Sequence, residues 1–583
     1  MALSRYGGIT GTKKISEDFE NINVAFNNVA AENDGIKSDI NRNKQGLEDH
    51  KNSTSAHPAQ NIPYSGAVTG ANNTKEALDK LKQEINDLIL GGDDSDPNTR
   101  AEVEVARGGR ATLGDRLDAT DAKLANMANK NNLPVNAKDF GALGDGVQIS
   151  TTYIQAAIDS APKVTVYIPA GHYLLNKSLK LHSDTTLIVA DDATIELVAG
   201  CDSYFLENSD MVNGNTNITV KGGRWIGNGA TMTRTYGTTL ANSYYGFGFL
   251  FYKVSHLKVT DLRIDETVAW AIAHMSCNYC EFRNIFVWQI EGQGLNGDGI
   301  TGQSSNVVID NIRGYTNDDM IAPLAYGAQM GANELHFEKI DTENISISNI
   351  FPMTRGTTQT WRAVAAYARA GKTIKNLNIS NVFGESYQSL VKISGHASAD
   401  GFFRNVNISN ITGRARTQGV IEVTSTTVYT LNISDMCRTE DSWSIGQINV
   451  GGGGIVHQMN VSNVNIRWEN GANGRVVYCQ GTIYNLNLNN IVSIDVANTT
   501  QKVLFQNTGV VTAVNTKIKA ANIQVTEIGT TDIILLQNGA RCSLDCADFD
   551  ELKTKFTPRK GDRIRDRTDG PIYFNGTAWQ AII

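Results

Sequence analysis

The sequence predicts a parallel β-helix that follows an α-helical region and ends in a small β cap. One motif, an alternating triplet of apolar residues closed by Asn or Asp, recurs nine times at intervals of 23 to 38 residues. Regular spacing in this range is typical of a solenoid. Charged residues make up only 19% of the 583 residues, and 54 glycines accompany only 10 prolines, which favours stacked coils with tight turns.

Residues 1–130 lack the repeated motif and are predicted to form an α-helical stalk. Apolar residues recur at spacings of three and four between Phe19 and Leu47, and again between Leu78 and Leu88. A stripe this narrow does not stabilise a lone helix in water, so it needs a partner. We expect the stalk to assemble as a homotrimer. A helical domain that packs on itself is the alternative.

Residues 131–530 are predicted to form the solenoid. Alternation places every second side chain inside a coil, and stacked coils then form inward aliphatic ladders. An Asn at the bend can bond to the Asn of the next coil. An ordinary β-sandwich is the alternative. The motif begins at Leu257, Cys280, Val307, Ile345, Leu377, Val406, Leu431, Met459 and Leu486.

The two longest intervals, 38 and 32 residues, predict loops inserted between Val307 and Leu377. Such loops carry binding sites in many solenoids. At the other end, residues 531–583 are predicted to form a small cap module. Two turn signals, Asp569-Gly570 and Asn575-Gly576, separate β-prone residues there and predict a hairpin.

Charge and hydropathy exclude several classes of protein. The net charge of -8 argues against a nucleic-acid-binding surface. No window reaches the ~18 apolar residues of a membrane span. The N-terminus lacks the apolar stretch of a secretory signal, so we expect assembly in a cytoplasm without export. The cysteines show no zinc-binding spacing, and the sequence predicts no metal site from them.

The segment VNAKDFGALGDG, from Val135, is followed by a short amphipathic helix over 150–160 and by VTVYIPAGHYLL. This opening resembles the pectate-lyase-like superfamily of right-handed parallel β-helices. The resemblance covers roughly Leu133 to Thr500. It implies right-handed coils and a helix that closes the N-terminal end of the solenoid.

The segment 270–322 is similar to the polygalacturonase-type glycoside hydrolases. Their N-x-D-G motif matches NGDG at 296–299, and their Asp-Asp pair matches NDD at 317–319. The resemblance implies catalysis by Asp298, Asp318 and Asp319, with inversion. Asp318 is then the general acid, and the other two hold the attacking water. The adjoining Asn296 and Asn317 are expected to contact substrate.

The spacing of these motifs agrees with such chemistry. Asp298 and Asp318 are 20 residues apart, close to one coil, and adjacent coils stack at ~4.8 Å. Carboxylates brought so close cannot all ionise easily, so the pKa of one should rise, as a general acid requires. The alternative is that these residues are turn aspartates, which Gly and Asn surround.

The sequence departs from the polygalacturonase pattern in its basic residues. The family's Gly-His-Gly and Arg-x-Lys motifs are absent as such, which makes galacturonate a doubtful substrate. His336 lies 17 residues after the Asp pair, and His274 lies about one coil before Asp298. Arg355 and Arg362 lie in an inserted region and can bind an acidic group. We expect these four residues to bind substrate.

Three further segments resemble the tail appendages of phages that infect Gram-positive bacteria: STSAHPAQNI at 53–62, ARGGRATLGDRLDATDAKL from Ala106, and GPIYFNGTAW near the end. The resemblance implies a trimeric tail spike of the virion, joined to other tail proteins through its N-terminus. Such proteins bind and degrade capsular glycan or wall teichoic acid on the host. No cofactor is implied for glycan hydrolysis, whereas a phosphodiester polymer implies a divalent metal. The alternatives are a non-catalytic trimeric adhesin or fibre, and a bacterial polygalacturonase-like hydrolase.

Overall fold

In a computed structural model, the described residues are 134–495 without 291–295, 331–332, 396–399, 439–446 and 469–473, and beyond 495 the strand segments up to 579–581 and residue 577. The chain divides into two compact units, Met1–Asn131 and Asn132–Ile583. In the first, only positions 79–80, 82–83, 115 and 119 are described, and they are helical. The remainder of the predicted stalk lies outside the described residues. No described helix has the length and apolarity needed to cross a membrane.

The second unit opens with short strands and one α-helix, α1, at Thr151–Ile158. The strands of the first coils are between two and 17 residues long. Their bounds are β1 Val135–Asn136, β2 Asp145–Ile149, β3 Val164–Ile168, β4 Gly171–Leu175, β5 Leu179–Leu181, β6 Thr185–Leu197, β7 Leu206–Asn208, β8 Asn215–Ile226, β9 Phe249–Tyr252, β10 Val254–Asp265, β11 Ile272–Trp288 and β12 Ile300–Tyr315. Short 3-10 helices lie at Ala137–Phe140, Gly229–Thr231 and Leu240–Asn242.

The later coils contain the longer strands and the inserted hairpins. Their bounds are β13 Asp319–Ala325, β14 Gln329–Met330, β15 Asn333–Glu334, β16 Thr342–Pro352, β17 Thr354–Arg355, β18 Thr358–Gln359, β19 Arg362–Ala368, β20 Thr373–Ser386, β21 Val391–Ser394, β22 Phe402–Ala415, β23 Ile421–Thr424, β24 Thr426–Arg438, β25 Ile448–Val450, β26 Gly454–Trp468, β27 Gly474–Cys479 and β28 Thr482–Asp495. The last strands are β29 Lys502–Asn507, β30 Lys517–Glu527, β31 Ile533–Gln537, β32 Arg541–Cys546, β33 Arg563–Asp566, β34 Gly570–Phe574 and β35 Trp579–Ala581.

These strands form a right-handed parallel β-helix, as the sequence predicts. The first residues of the nine repeated motifs are Cα partners from coil to coil, from Leu257 beside Cys280 to Met459 beside Leu486. All nine are buried, which makes them one inward ladder along the solenoid. One sequence repeat therefore corresponds to one coil, and its alternating apolar residues form the core.

The predicted Asn at the bend forms a second ladder. Asn381 donates to Asn349 at 3.0 Å, and Asn410 donates to Asn381 at 2.7 Å. Each of these residues has a φ between 52° and 57°, in the left-handed region that Asn tolerates better than most residues. The amide thus joins neighbouring coils while its backbone makes the turn.

Helix α1 lies at the N-terminal end of the solenoid and packs on β3 and β5. Its buried side consists of Ile154, Ala157 and Ile158, together with Thr151. The Gln155 side chain accepts from the Lys180 backbone N–H at 2.8 Å, which ties the helix to β5. This arrangement agrees with the end-closing helix that the sequence predicts.

Parallel pairing continues past residue 530, where the sequence analysis places the end of the solenoid. Strand β31 pairs with β29, and β32 pairs with β30, so this pairing of successive coils reaches Asp545. The conspicuous motif is lost there while strand pairing persists, because pairing depends on the backbone. Beyond it, β33, β34 and β35 form the antiparallel hairpins predicted around the two turn signals.

The loops predicted between Val307 and Leu377 are present. Strand β13 and the antiparallel hairpin β14–β15 lie between β12 and β16, and the hairpin β17–β18 lies between β16 and β19. Strands β13, β19, β21 and β23 pair in parallel and form one face of the solenoid. The inserted segments border this face, which holds the site described next.

Candidate active site

A cleft of about 510 Å³ opens on the face formed by β13, β19, β21 and β23. It brings together residues from six successive coils. Its lining consists of Trp270, Asn296, Asp298, Thr301, Asp318, Asp319, Ala322, Leu324, Tyr326, Gln329, Trp361, Arg362, Tyr367, Arg369, Lys392, Ser394 and Thr424. Three carboxyl groups and three basic side chains thus face one space.

Strand register decides which of these residues become neighbours. Ile300 is the partner of Ile321, an offset of 21 residues, so Asp298 is level with Asp319. The Gly299 amide donates to the Asp319 carbonyl at 2.9 Å and holds these two turns together. The 20-residue spacing of the motifs predicts that Asp298 is level with Asp318 instead. The difference is one residue, and it places Asp318 beside the stacked pair.

Asp319 begins β13, and both of its carboxylate oxygens accept hydrogen bonds. Arg362 donates to Oδ1 at 2.7 Å, and the Tyr367 hydroxyl donates to Oδ2 at 2.9 Å. All three side chains are buried. A carboxylate that accepts from a cation and from a hydroxyl is stabilised in its ionised form.

Asp318 is the most exposed of the three acids, with 17% of its side chain accessible against 5% for Asp319. Its Oδ1 lies 3.3 Å from the same Arg362 nitrogen, a longer contact than that of Asp319. Burial, and next the charge of Asp319, raise the pKa of Asp318 to about 7, although Arg362 opposes this. Asp318 can therefore hold a proton near neutral pH.

Asp298 lies deeper in the cleft wall. Its Oδ2 accepts from the Thr301 hydroxyl at 2.7 Å, whereas its buried Oδ1 has no hydrogen-bond partner among the described residues. Burial raises the pKa of Asp298 well above its usual range, and the charges of Asp318 and Asp319 raise it further. Asp298 and Asp318 consequently compete for a proton.

The two asparagines of the motifs have different positions. Asn296 lines the cleft and has a φ of 75°. Asn317 is not among the lining residues, and it donates to the Ile290 carbonyl at 3.2 Å. A Cβ on Gly297 would lie 1.5 Å from the Asn317 Oδ1, so glycine is needed where these two turns meet. Asn317 thus packs between the acidic turns.

Three of the four basic or imidazole residues expected to bind substrate do not line the cleft. His274 is buried within the coil, where its Nδ1 is 3.0 Å from the Ser304 hydroxyl. The Nε2 of His336 is 2.7 Å from the Gly237 carbonyl oxygen. Arg355 pairs with Glu266 at 3.2 Å. Only Arg362 reaches the cleft, and it faces the acids.

The buried position of His274 follows from its strand. Alternation in β11 turns it inward, where its ring lies 4.7 Å from that of Phe282. Burial lowers the pKa of His274 to about 3, so the ring is neutral at ordinary pH. The coil spacing predicts the level of His274 in the solenoid, but it does not predict the direction of its side chain.

The cleft residues that were not predicted from the sequence include Tyr367 and Lys392. Tyr367 lies in RAVAAYA, where small residues hide the alternation, and Lys392 lies on β21 at 3.7 Å from Glu422. Burial lowers the pKa of Lys392, and the charge of Arg362 adds to this effect. The sequence signal that could have located both residues is the alternation of side chains along the two strands. In the paired strands, Ala365 is the partner of Lys392, and Tyr367 is the partner of Ser394.

Among the residues that the structure describes, no group of three or more His, Cys, Asp or Glu side chains is arranged to hold a metal ion. In the cleft, the cation that faces the carboxylates is the Arg362 guanidinium.

Residues 134–384 match the family model described as Rhamnogalacturonase A/epimerase, pectate lyase-like. The match agrees with the right-handed parallel β-helix fold that this segment adopts. It includes the three acids, Arg362 and Tyr367, and it ends before Lys392.

Curated relatives match short stretches of the chain. Mannuronan C5-epimerase AlgE5 of Azotobacter vinelandii is 43% identical over 79 residues, which is 12% of this chain and 8% of that protein. Alginate lyase 7 of the same organism is 46% identical over 63 residues, which is 10% of this chain and 7% of that protein. The chain thus spans less than a tenth of either relative.

Solved structures with a similar course include the Family 28 exopolygalacturonase of Yersinia enterocolitica, at 16% identity and a TM-score of 0.46, covering 70% of this chain and 78% of that one. The N-terminal fragment of bacteriophage phi29 gene product 12 is 12% identical with a TM-score of 0.35, covering 74% of this chain and 92% of that one.

Proposed function

We propose that this protein hydrolyses glycosidic bonds of a bacterial surface polymer in the cleft that contains Asp298, Asp318 and Asp319. The observation that supports this most is the convergence of three carboxyl groups, of which two have raised pKa values, in a cleft large enough for a sugar unit. Glycoside hydrolysis needs one protonated and one ionised carboxyl group at the scissile bond.

In the proposed reaction, Asp318 is the general acid, because it is the most accessible of the three and holds a proton near neutral pH. It gives this proton to the glycosidic oxygen as the bond to the anomeric carbon breaks. A water held by Asp298 and Asp319 attacks that carbon and gives its own proton to a carboxylate. The active form has Asp318 protonated and Asp298 ionised, since the two compete for one proton.

We propose further that the protein is a phage tail spike of the virion, and that the polymer is a capsular glycan or wall teichoic acid. The support is the resemblance of segments 53–62, 106–124 and 570–579 to phage tail appendages, together with the narrow apolar stripes of residues 1–130. In this proposal the N-terminal region forms a homotrimer and attaches to other tail proteins. The β-helix then presents the cleft to the host surface.

The decisive experiment is incubation of the full chain with purified walls and capsules from several Gram-positive hosts, with released fragments identified by mass spectrometry. We expect new reducing ends from the wild-type chain and none from Asp318→Asn. The control is Asp435→Asn, which alters an aspartate on the bend ladder away from the cleft. Binding without release from any host would contradict hydrolysis and favour an adhesin.

The chemistry of the product separates the candidate bonds. Release of phosphomonoester ends, abolished by a chelator, would show phosphodiester cleavage with a divalent metal and overturn the carboxylate mechanism. Release of reducing ends that is insensitive to a chelator supports it. Light scattering on the full chain tests the trimer, for which we expect three times the chain mass.

A further inference from the structure

We infer that Arg362 and Tyr367 are positioning residues that hold Asp319 as a fixed anion and so confine the exchangeable proton of the cleft to Asp298 and Asp318. This inference rests on the hydrolysis proposed above and assigns a role that the sequence does not suggest. The sequence predicts substrate binding for Arg362 and nothing for Tyr367.

The first step is the arrangement of donors. Each oxygen of Asp319 accepts from a different group, Oδ1 from Arg362 at 2.7 Å and Oδ2 from Tyr367 at 2.9 Å. Arg362 also lies 3.2 Å from the Tyr367 hydroxyl oxygen. The three side chains form a closed triangle of contacts. Protonating Asp319 would break at least one of these bonds and leave a buried donor without an acceptor.

The second step is the rigidity of the supports. Asp319 is the Cα partner of Arg362 on the adjoining strand, and Tyr367 lies further along that same strand. Every residue of β19 is buried. The two donors are therefore fixed by strand pairing rather than by a loop, and they hold the carboxylate in one orientation.

The third step is the effect on the other acids. Arg362 gives Asp318 only the longer contact of 3.3 Å, and it gives Asp298 no hydrogen bond among the described residues. The fixed charge of Asp319 then repels an ionised neighbour. The proton required for catalysis stays with the two acids that lack a close cationic donor, and Asp318 is the one open to the cleft.

Two variants have different expected signatures in the pH dependence of kcat. Tyr367→Phe removes one donor from Asp319 and leaves the Arg362 charge in place. The acid limb of the pH profile should move to higher pH by about one unit, which corresponds to the loss of one hydrogen bond to a charged group. The alkaline limb should stay at the same pH. Arg362→Met removes the cation from both acids, so both limbs should move upward.

The control is Tyr173→Phe, which removes a buried hydroxyl that donates to the Pro169 carbonyl at 2.9 Å, away from the cleft. We expect it to lower stability and to leave both limbs in place. A purely structural role for Tyr367 predicts the same for Tyr367→Phe. A change in KM alone for Arg362→Met would show that this residue binds substrate, and either result would overturn the inference.

A titration of the free protein separates this inference from the proposed hydrolysis. With ¹³C-labelled aspartate carboxyls, the Asp318 signal is assigned by its loss in Asp318→Asn. Its midpoint should rise in Arg362→Met, fall in Asp319→Asn and stay in Tyr367→Phe. These shifts need no substrate. If no polymer is cut and the shifts are found, only the hydrolysis fails, whereas unchanged midpoints in Arg362→Met and Asp319→Asn contradict the inference.

Discussion

Asp319 and Arg362 are Cα partners on adjacent strands, and the guanidinium donates to the carboxylate at 2.7 Å. The two residues are 43 positions apart in the sequence, and two inserted hairpins lie between them. An ion pair that is remote in sequence is thus set by the ladder of the solenoid. Because the pair is buried, removing one partner leaves an uncompensated charge, which costs more than the pair itself contributes.

Arg362→Met should lower the free energy of unfolding by about 3–5 kcal/mol at neutral pH, where the buried Asp319 carboxylate is left without its cation. The deficit should shrink as the pH falls, because protonation removes the uncompensated charge. Urea denaturation between pH 4 and pH 8 measures this. Arg313→Met is the matched control, since that guanidinium lies over the Phe351 ring and donates to Asn311. A deficit that does not change with pH would contradict an electrostatic origin.

Asp318→Asn should stabilise the protein at neutral pH while it abolishes hydrolysis. A carboxyl whose folded pKa is raised to about 7 destabilises the fold as the pH rises from its unfolded value of 3.8 through 7. Removing the charge recovers at most about 4 kcal/mol above that window and nothing below it. Thermal denaturation at pH 3.5 and pH 8 tests the sign. A melting temperature below that of the wild type at pH 8 would contradict the raised pKa of Asp318.

The coils could be predicted from the sequence because every coil meets the same requirement. An inward aliphatic residue recurs at each level, and its partner is buried in the same way, as Leu377 and Val406 illustrate. The positions of the three acids followed from their motifs. Their exact alignment did not, because a bend can absorb one residue without disturbing the pattern of apolar positions.

The partners of the acids were harder to predict. Arg362 and Tyr367 approach Asp319 because the two inserted hairpins leave the strand pairing unchanged. The length of an insertion does not reveal which residues will be paired after it. For His274 the difficulty was different. Its level in the solenoid was evident, but the inward direction of its side chain was not, because all residues from Ile272 to Met275 are buried and no exposed position marks the outward side.

His274→Asn should make the fold less sensitive to acid and should leave hydrolysis intact. The folded pKa of about 3 lies below the usual 6.5, so stability is lost as the pH falls from 6.5 toward 3, by up to about 5 kcal/mol. Asn can keep the contact that Nδ1 makes with Ser304. Stability should therefore be lower than wild type at pH 7 and closer to it at pH 4. Loss of activity at pH 7 without unfolding would indicate a role in the cleft.

Asn381→Ala should destabilise the solenoid more than Asn381→Gly. Both lose the amide bonds to Asn349 and Asn410, each worth about 1 kcal/mol. Alanine adds about 1–2 kcal/mol for a φ of 56°, whereas glycine adopts this conformation freely. Denaturant titration of the two variants isolates the backbone contribution. Equal losses would show that the amide ladder alone decides the effect.

Gly297→Ala should impair hydrolysis through the packing of the two acidic turns. The new Cβ would meet the Asn317 Oδ1 at 1.5 Å, and that side chain lies next to Asp318 in sequence. A displacement of about 1 Å at a catalytic group lowers the rate by roughly 100-fold. Gly452→Ala is the control, because a Cβ there meets nothing within 4 Å. We expect kcat to fall in the first variant and to stay at the wild-type value in the second, with both proteins folded by circular dichroism. Full activity in Gly297→Ala would show that Asn317 can move without disturbing the acids.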